Sequence, residues 1–283
     1  MVNSVTLACI YILISVGLTA IYGVLKILHI AHGAVYLFGA YFSIVVFAHV
    51  ANVAVSIVVA SIISGLVGVL ILFAVYWRLL TASRLTALVA SIGVYYIAYD
   101  GYRLFFGPNP VGFPGSSTPV SFQSIIPYVK LSGFQFAIIV VSIVSVLAMG
   151  VFLTRTKVGL GMRAVASDKD MASALGVNSG MMIILAFFIG SFLAGLGGSM
   201  VAIYSNQSYF TQGDTVIAVG LAVIVLGGLG SVSGTVIGAI IIASIQTFLD
   251  AYSPAYVPPF TLAFIVLVAI LIFRPAGLRG GKF

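Results

Sequence analysis

The chain contains no glutamate, and its only acids are Asp100, Asp168, Asp170, Asp214 and Asp250. Charged residues make up 6% of its 283 positions and hydrophobic ones 62%. Soluble domains average roughly 25% charged residues, so a surface this apolar needs a non-aqueous solvent, and a bilayer supplies one. The one cysteine, Cys9, lies in an apolar run. Disulfide and zinc frameworks within the chain are therefore excluded, and Cys9 reads as a small buried hydrophobe. A G-x-x-x-x-G-K-[ST] loop is missing, which excludes ATP binding through a P-loop. Also missing are the nucleophile–base pair or metal cluster that a membrane-embedded enzyme needs, and the central acid or histidine relays of an ion-coupled carrier. The N-terminus has no basic region and no clear cleavage site, so its first apolar run is expected to be a retained span.

Long apolar runs fill the chain. A helical span takes ~20 apolar residues, because the hydrocarbon core is ~30 Å thick and the helix rises ~1.5 Å per residue. The runs are Val5–Leu25, Gly33–His49, Val53–Trp77, Leu85–Phe106, Phe134–Leu153, Met181–Ile203, Val216–Leu229, Gly234–Leu249 and Phe260–Phe273. None shows the period-two alternation of a barrel strand. The expectation is an all-α polytopic transmembrane bundle of eight or nine spans, forming one domain over residues 1–283. The short pair within 216–249 fits either two full spans or broken, re-entrant helices.

The net charge of +7 comes from basic residues placed singly between apolar runs. That pattern suits loops facing anionic lipid rather than a nucleic-acid groove. Placing Lys26, Arg78, Arg84, Arg155, Lys157, Arg163, Lys169, Arg274, Arg279 and Lys282 inside leaves only Arg103 and Lys130 outside. The bias predicts N-out, C-in topology. The loop at 107–133 is then external and the one at 154–180 cytoplasmic.

The cytoplasmic loop carries its own helix signal. Ser167 and Asp170 make a capping-box-like start, and Gly176 is a natural stop. In the two turns between them Met171, Ala172, Ala174 and Leu175 gather on one arc, with Lys169, Asp170 and Ser173 on the other. So short a helix is marginal alone, and its apolar face needs a partner. That partner is either the chain's own membrane domain or a groove on a cytoplasmic protein. Since nothing in the chain supplies energy, the second reading also accounts for a motor.

Glycines form the other signal. Gly227, Gly228, Gly230 and Gly234 link the two short runs, and Gly230, Gly234 and Gly238 repeat at a spacing of four. In a helix that spacing lets backbones approach closely in lipid; a broken helix lining a polar cavity is the alternative. A dinucleotide-binding reading fails for lack of a strand–helix context and a downstream acid. His29 and His32, at i and i+3, can present two imidazoles on one helical face. Without a carboxylate or thiol nearby in sequence, hydrogen bonding at the inner end of the first two spans is the better expectation than metal.

Four segments, in order, resemble branched-chain amino acid ABC transporter permeases: GLTAIYGVLKILHIAHGAVYLFGAY at 17–41, GMRAVASDKDMASALGVN at 161–178, LGGLGSVSGTVIG at 226–238, and FRPAGL at 273–278. The resemblance implies an inner-membrane subunit of a prokaryotic high-affinity importer. Its partners would be cytoplasmic ABC ATPases, a second permease subunit (the same or a paralogue) and an external substrate-binding protein, with the bilayer as solvent and no nucleic acid. ATP and magnesium would bind those ATPases, and no cofactor this chain. It further implies coupling to the ATPase through Gly161, Arg163, Ala164, Asp168, Met171, Ala172, Leu175 and Gly176. A translocation or gating role would fall to His32, Gly33, Gly228, Gly230, Ser231 and Gly234. The sequence departs from the common pattern at His29, where many relatives have Asn, and at Ala34, where many have an acid. Branched-chain or other hydrophobic amino acids are the expected cargo. Urea, amides or other small polar solutes are the alternative, and an ATPase-independent carrier or channel is the reading from a different class.

Overall fold

The computed structural model describes residues 2–80, 82–114, 131–252, 257–274 and 277–279. Most of the proline-rich 107–133 loop, including Pro119, Pro127 and Lys130, lies outside the described residues, as do Pro275, Ala276 and Lys282.

Each apolar run falls on a helix. In chain order these are α1 (Val2–Leu25), α2 (His32–Val50) and α3 (Val53–Ile71), which passes through a π-helical turn (Leu72–Tyr76) into α4 (Trp77–Leu79). Then come α5 (Arg84–Phe106) and α6 (Gly133–Arg155), followed by two short helices, α7 (Lys157–Ser167) and α8 (Lys169–Ala174). The chain ends with α9 (Ser179–Tyr204), α10 (Gln212–Gly227), α11 (Val232–Tyr252) and α12 (Pro259–Phe273). Among the described residues six helices are long and apolar enough to cross a membrane: Val2–Leu25, His32–Val50, Val53–Leu79, Gly133–Arg155, Ser179–Tyr204 and Val232–Tyr252. The α10 helix is apolar but shorter, at 16 residues.

Short polar side chains set the helix starts by accepting otherwise unpaired backbone N–H groups. Asn52 caps α3, Ser83 caps α5, and Ser132 with Gln135 forms a reciprocal capping box on α6. Among the described residues, a two-residue pairing, β1 (Val111–Gly112) antiparallel to β2 (Gln207–Ser208), ties the α5–α6 connection to the segment after α9.

The α9 helix sits at the centre, against α1, α2 and α3. Its small residues make this possible, because between apolar helices in lipid close packing replaces the hydrophobic effect as the driving force. A Cβ added to Gly195 would fall 2.3 Å from Ser64 Cβ, and one on Gly190 would fall 2.6 Å from the Gly17 carbonyl. A buried pair of hydroxyls, Thr19 and Thr235, joins α1 to α11 at 2.7 Å.

Candidate functional site

The first site residues lie on a backbone break. Helix α2 does not begin where α1 ends: His32 Nε2 bonds the carbonyl of Ile14 at 3.1 Å. Ile14 precedes Leu25 by about three turns, or ~16 Å of α1. The non-helical stretch from Lys26 to Ala31 therefore folds back along α1, and His29 and His32 are almost fully buried, at 1% and 2% exposure. Backbone interrupted in this way needs local partners. Ile30 N–H donates to Ser91 Oγ at 3.3 Å, and His29 Nδ1 pairs with the Tyr76 hydroxyl at 2.7 Å. Since a carbonyl only accepts, Nε2 of His32 carries its proton. The two imidazoles do not share one helical face. His29 stands in the break and His32 opens α2, with ring centres 6.0 Å apart and edge to face.

A prediction follows for Tyr76→Phe, which strips a buried imidazole nitrogen of its partner while keeping the ring. Stability should fall by about 1–3 kcal/mol, read as a lower unfolding midpoint in detergent. An unchanged midpoint would show that the pair does not hold the break.

Gly33 packs against α10, where an added Cβ would come within 2.6 Å of the Ile217 side chain and 3.1 Å of the Gly213 carbonyl. The glycine-rich turn lies at the other end of α10. Gly228 (φ +105°) and Gly230 (φ +87°) adopt backbone conformations open to glycine. Ser231 Oγ then accepts from Gly234 N–H at 3.2 Å and starts α11. Gly234 and Gly238 do share a face of α11, set against the backbone of α10. Gly230 lies before that helix, so the four-residue repeat covers two glycines rather than three. The structure does not join the two groups of expected gating residues, since ~22 Å of α10 separates Gly213 from Gly228. Instead the chain's last described residues meet the turn. Leu278 N–H bonds the Leu226 carbonyl at 2.8 Å, and Arg279 N–H bonds that of Gly227 at 3.0 Å. The tail thus satisfies carbonyls that the end of α10 leaves open, and Arg279 also donates to Ser233 Oγ at 2.8 Å.

The 154–180 connection forms two helices, not one. Thr156 caps α7 through Gly159 N–H, and α7 buries Met162, Val165 and Ala166. Cap signal and apolar spacing were both present in the sequence. Ser167 belongs to the end of α7, and the cap of α8 is Asp168. Its backbone is extended (φ −150°) and its carboxylate accepts from Asp170 and Met171 N–H, each at 2.9 Å. Gly176 (φ +86°) ends the element: its N–H bonds the Ser173 carbonyl and that of Val177 bonds Ala172, both at 3.0 Å. These two bonds make a Schellman stop.

The expected apolar arc of α8 divides. Ala172 turns inward at 3% exposure, whereas Met171 and Leu175 stand out at 60% and 78%. Gly161 adjoins Met182, whose sulfur would lie 3.0 Å from an added Cβ. Ala164 accepts the Asp168 N–H, and the half-buried Arg163 has its Nε covered without a hydrogen-bond partner among the described residues. Gly161, Arg163, Ala164 and Asp168–Gly176 are therefore one connected element, rigidly capped and carrying an outward apolar pair.

Two neighbouring cavities share Tyr209 and Thr215. One, about 410 Å³, lies between α1, α2 and α10, with Tyr11, Ser15, Tyr36 and Gln212 in its wall. The other, about 710 Å³, lies between α5, α10 and α12, with Tyr95, Tyr96 and Asp214 in its wall. Neither was named from the sequence, because each is built from single polar residues inside apolar runs far apart in the chain. Hydroxyls and one carboxylate set in aliphatic surface can bind a small amphipathic solute.

Comparison with known proteins identifies the family. Residues 1–273 match the family model described as the permease component of branched-chain amino acid transport systems. The chain is 28% identical to the high-affinity branched-chain amino acid transport system permease protein LivH of Salmonella typhimurium (strain LT2), over 99% of this chain and 94% of the relative. LivH of Escherichia coli (strain K12) is likewise 28% identical with the same coverage. The corresponding protein BraD of Pseudomonas aeruginosa is 27% identical, again over 99% and 94%. No solved structure gives a significant match. This is a family of membrane permeases rather than enzymes, and with the match running over nearly its whole length the chain belongs to the permease component family of branched-chain amino acid transport systems.

Proposed function

We propose that this protein is the channel-forming subunit of an ATP-driven importer of branched-chain amino acids in the cytoplasmic membrane of a prokaryote. The whole-length family match carries the reading. The bundle would cross the membrane eight or nine times with the N-terminus outside. Two features support that arrangement: the ten-to-two distribution of basic residues and the placing of each apolar run on its own helix. A tag on the N-terminus that is accessible from the cytoplasm would refute this topology.

Energy would come from cytoplasmic ABC ATPases holding ATP and magnesium, since the chain carries no P-loop. The α7–α8 element is their docking surface. Gly161, Arg163 and Ala164 hold α8 against the bundle, while Asp168 and Gly176 fix its two ends. Met171 and Leu175 enter the ATPase groove, and Ala172 seats the helix on its own side. Closure of the ATPases would move this element and shift the bundle between inward- and outward-facing states through differential affinity. His32 and Gly33, at the break against α10, and Gly228, Gly230, Ser231 and Gly234, at the far end of α10, are the positions where that motion bends the bundle. A second permease subunit would complete the pathway, and an external binding protein would supply affinity and cargo.

Purification in mild detergent tests the composition. One ATPase copy should accompany each permease, and the partner binding protein should retain leucine, isoleucine or valine. A permease that purifies alone from cells expressing the whole system would count against the assembly.

A further inference from the structure

Asp214 stands in the first turn of α10, half-buried in the wall of the larger cavity. Its described hydrogen-bond partner is the Tyr95 hydroxyl, which donates to Oδ1 at 2.7 Å. No lysine, arginine or histidine is among the described residues lining that cavity. The carboxylate is therefore held in place by a neutral donor and faces a partly open cavity whose described lining carries no cation. Around it stand the ring of Tyr96 and the hydroxyl of Thr215, and beyond them an aliphatic wall of Ile92, Ile217 and Leu221. A carboxylate with aromatic faces nearby attracts a cation, and the aliphatic wall suits a branched hydrocarbon. At about 710 Å³ the space admits a solute of amino-acid size.

We propose that the cavity bounded by Asp214, Tyr95 and Ile217 is a substrate station in which the Asp214 carboxylate takes the α-ammonium group and the aliphatic wall takes the side chain. This rests on the importer reading above and adds the residue within the permease that tells an amino acid from a fatty acid of the same shape. Tyr95 is a positioning residue that fixes the carboxylate rotamer.

The test uses the permease assembled with its ATPase and binding protein. Asp214→Asn keeps an oxygen that can accept from Tyr95 but removes the charge. Uptake of leucine from saturating loaded binding protein should fall roughly tenfold or more, as expected for a lost charge-assisted contact. Asp214→Glu should recover much of it, and Asp100→Asn, an exposed charge control, should leave it unchanged.

A second readout needs no variant. Millimolar leucine or isoamylamine should raise the Tm of the wild-type permease–ATPase complex by about 2 °C or more, whereas 4-methylpentanoate, which lacks the ammonium, should not. Full uptake by Asp214→Asn, or equal stabilisation by 4-methylpentanoate, overturns the proposal. So does a shift produced by sodium or potassium chloride alone, which would make the carboxylate an inorganic cation site. If wild type shows no ATP-dependent uptake, it is the importer reading that fails. If Asp214→Asn does not assemble, the wild-type ligand series still decides.

Discussion

With Met171 and Leu175 both changed to aspartate, ATP-driven uptake should fall about 100-fold or more while the permease itself stays folded. The two side chains are one helical turn apart and stand 60% and 78% exposed. Removing them therefore takes little from the packing of this chain. Covering them with a partner is another matter, because burying one large aliphatic side chain is worth about 1.5–3 kcal/mol. Losing two, and facing the same groove with two charges, exceeds the ~2.7 kcal/mol that corresponds to 100-fold. The helix that presents them should survive, since its Asp168 cap and Gly176 stop are untouched. Uptake, co-purification of the ATPase and the unfolding midpoint of the permease separate the outcomes. Lost coupling with an unchanged midpoint is the expected pattern. Unimpaired uptake would mean that α8 rests on lipid or on its own bundle.

Gly39→Leu should act in the opposite way and damage the bundle itself. A Cβ at Gly39 would stand 2.4 Å from Gly195 Cα and 2.5 Å from its carbonyl oxygen. These are backbone atoms of the central helix, so no flexible side-chain tip can swing aside. Neighbouring contacts lock the same crossing. Ser199 Oγ donates to the Gly39 carbonyl at 3.1 Å, and an added Cβ on Gly198 would meet the Tyr36 carbonyl at 2.1 Å. The helices must separate, and dispersion contacts fall off steeply with distance. Overpacking of this kind costs roughly 3 kcal/mol or more, enough to deplete folded protein in the membrane. Gly93→Ala and Gly150→Ala provide the contrast, since both glycines are helical and have open space around them. Alanine there should be neutral or stabilise by about 0.5–1 kcal/mol. Equal behaviour of all three variants would refute the close-packing account.

These two cases show where the sequence was informative. Each apolar run fell on a helix, because lipid makes hydrophobic length and helix formation nearly the same constraint. The outline of α8 was legible too, since caps and stops are local chemistry. The exact cap was not: Ser167 and Asp168 are both competent, and only the extended backbone at Asp168 selects it.

Long-range features were hidden. The fold-back at Lys26–Ala31 places no proline or glycine in the chain, and its support comes from Tyr76 and Ser91, which are remote in sequence. The glycine turn at Gly228–Ser231 drew attention as a candidate break but joins two continuous helices, with the C-terminal tail closing it. Asp214 was visible as one of five acids, but its partner lies 119 residues away. A single sequence gives no sign that the two meet at a cavity.

Everything proposed about function rests on the claim that this bundle moves its solute only when a partner hydrolyses ATP. Radiolabelled leucine uptake into proteoliposomes containing the permease, its ATPase and the loaded binding protein tests it directly. Uptake should require ATP and all components, and should stop when ATP is replaced by a non-hydrolysable analogue. Gradient-driven uptake by the permease alone, indifferent to ATP, would contradict the account.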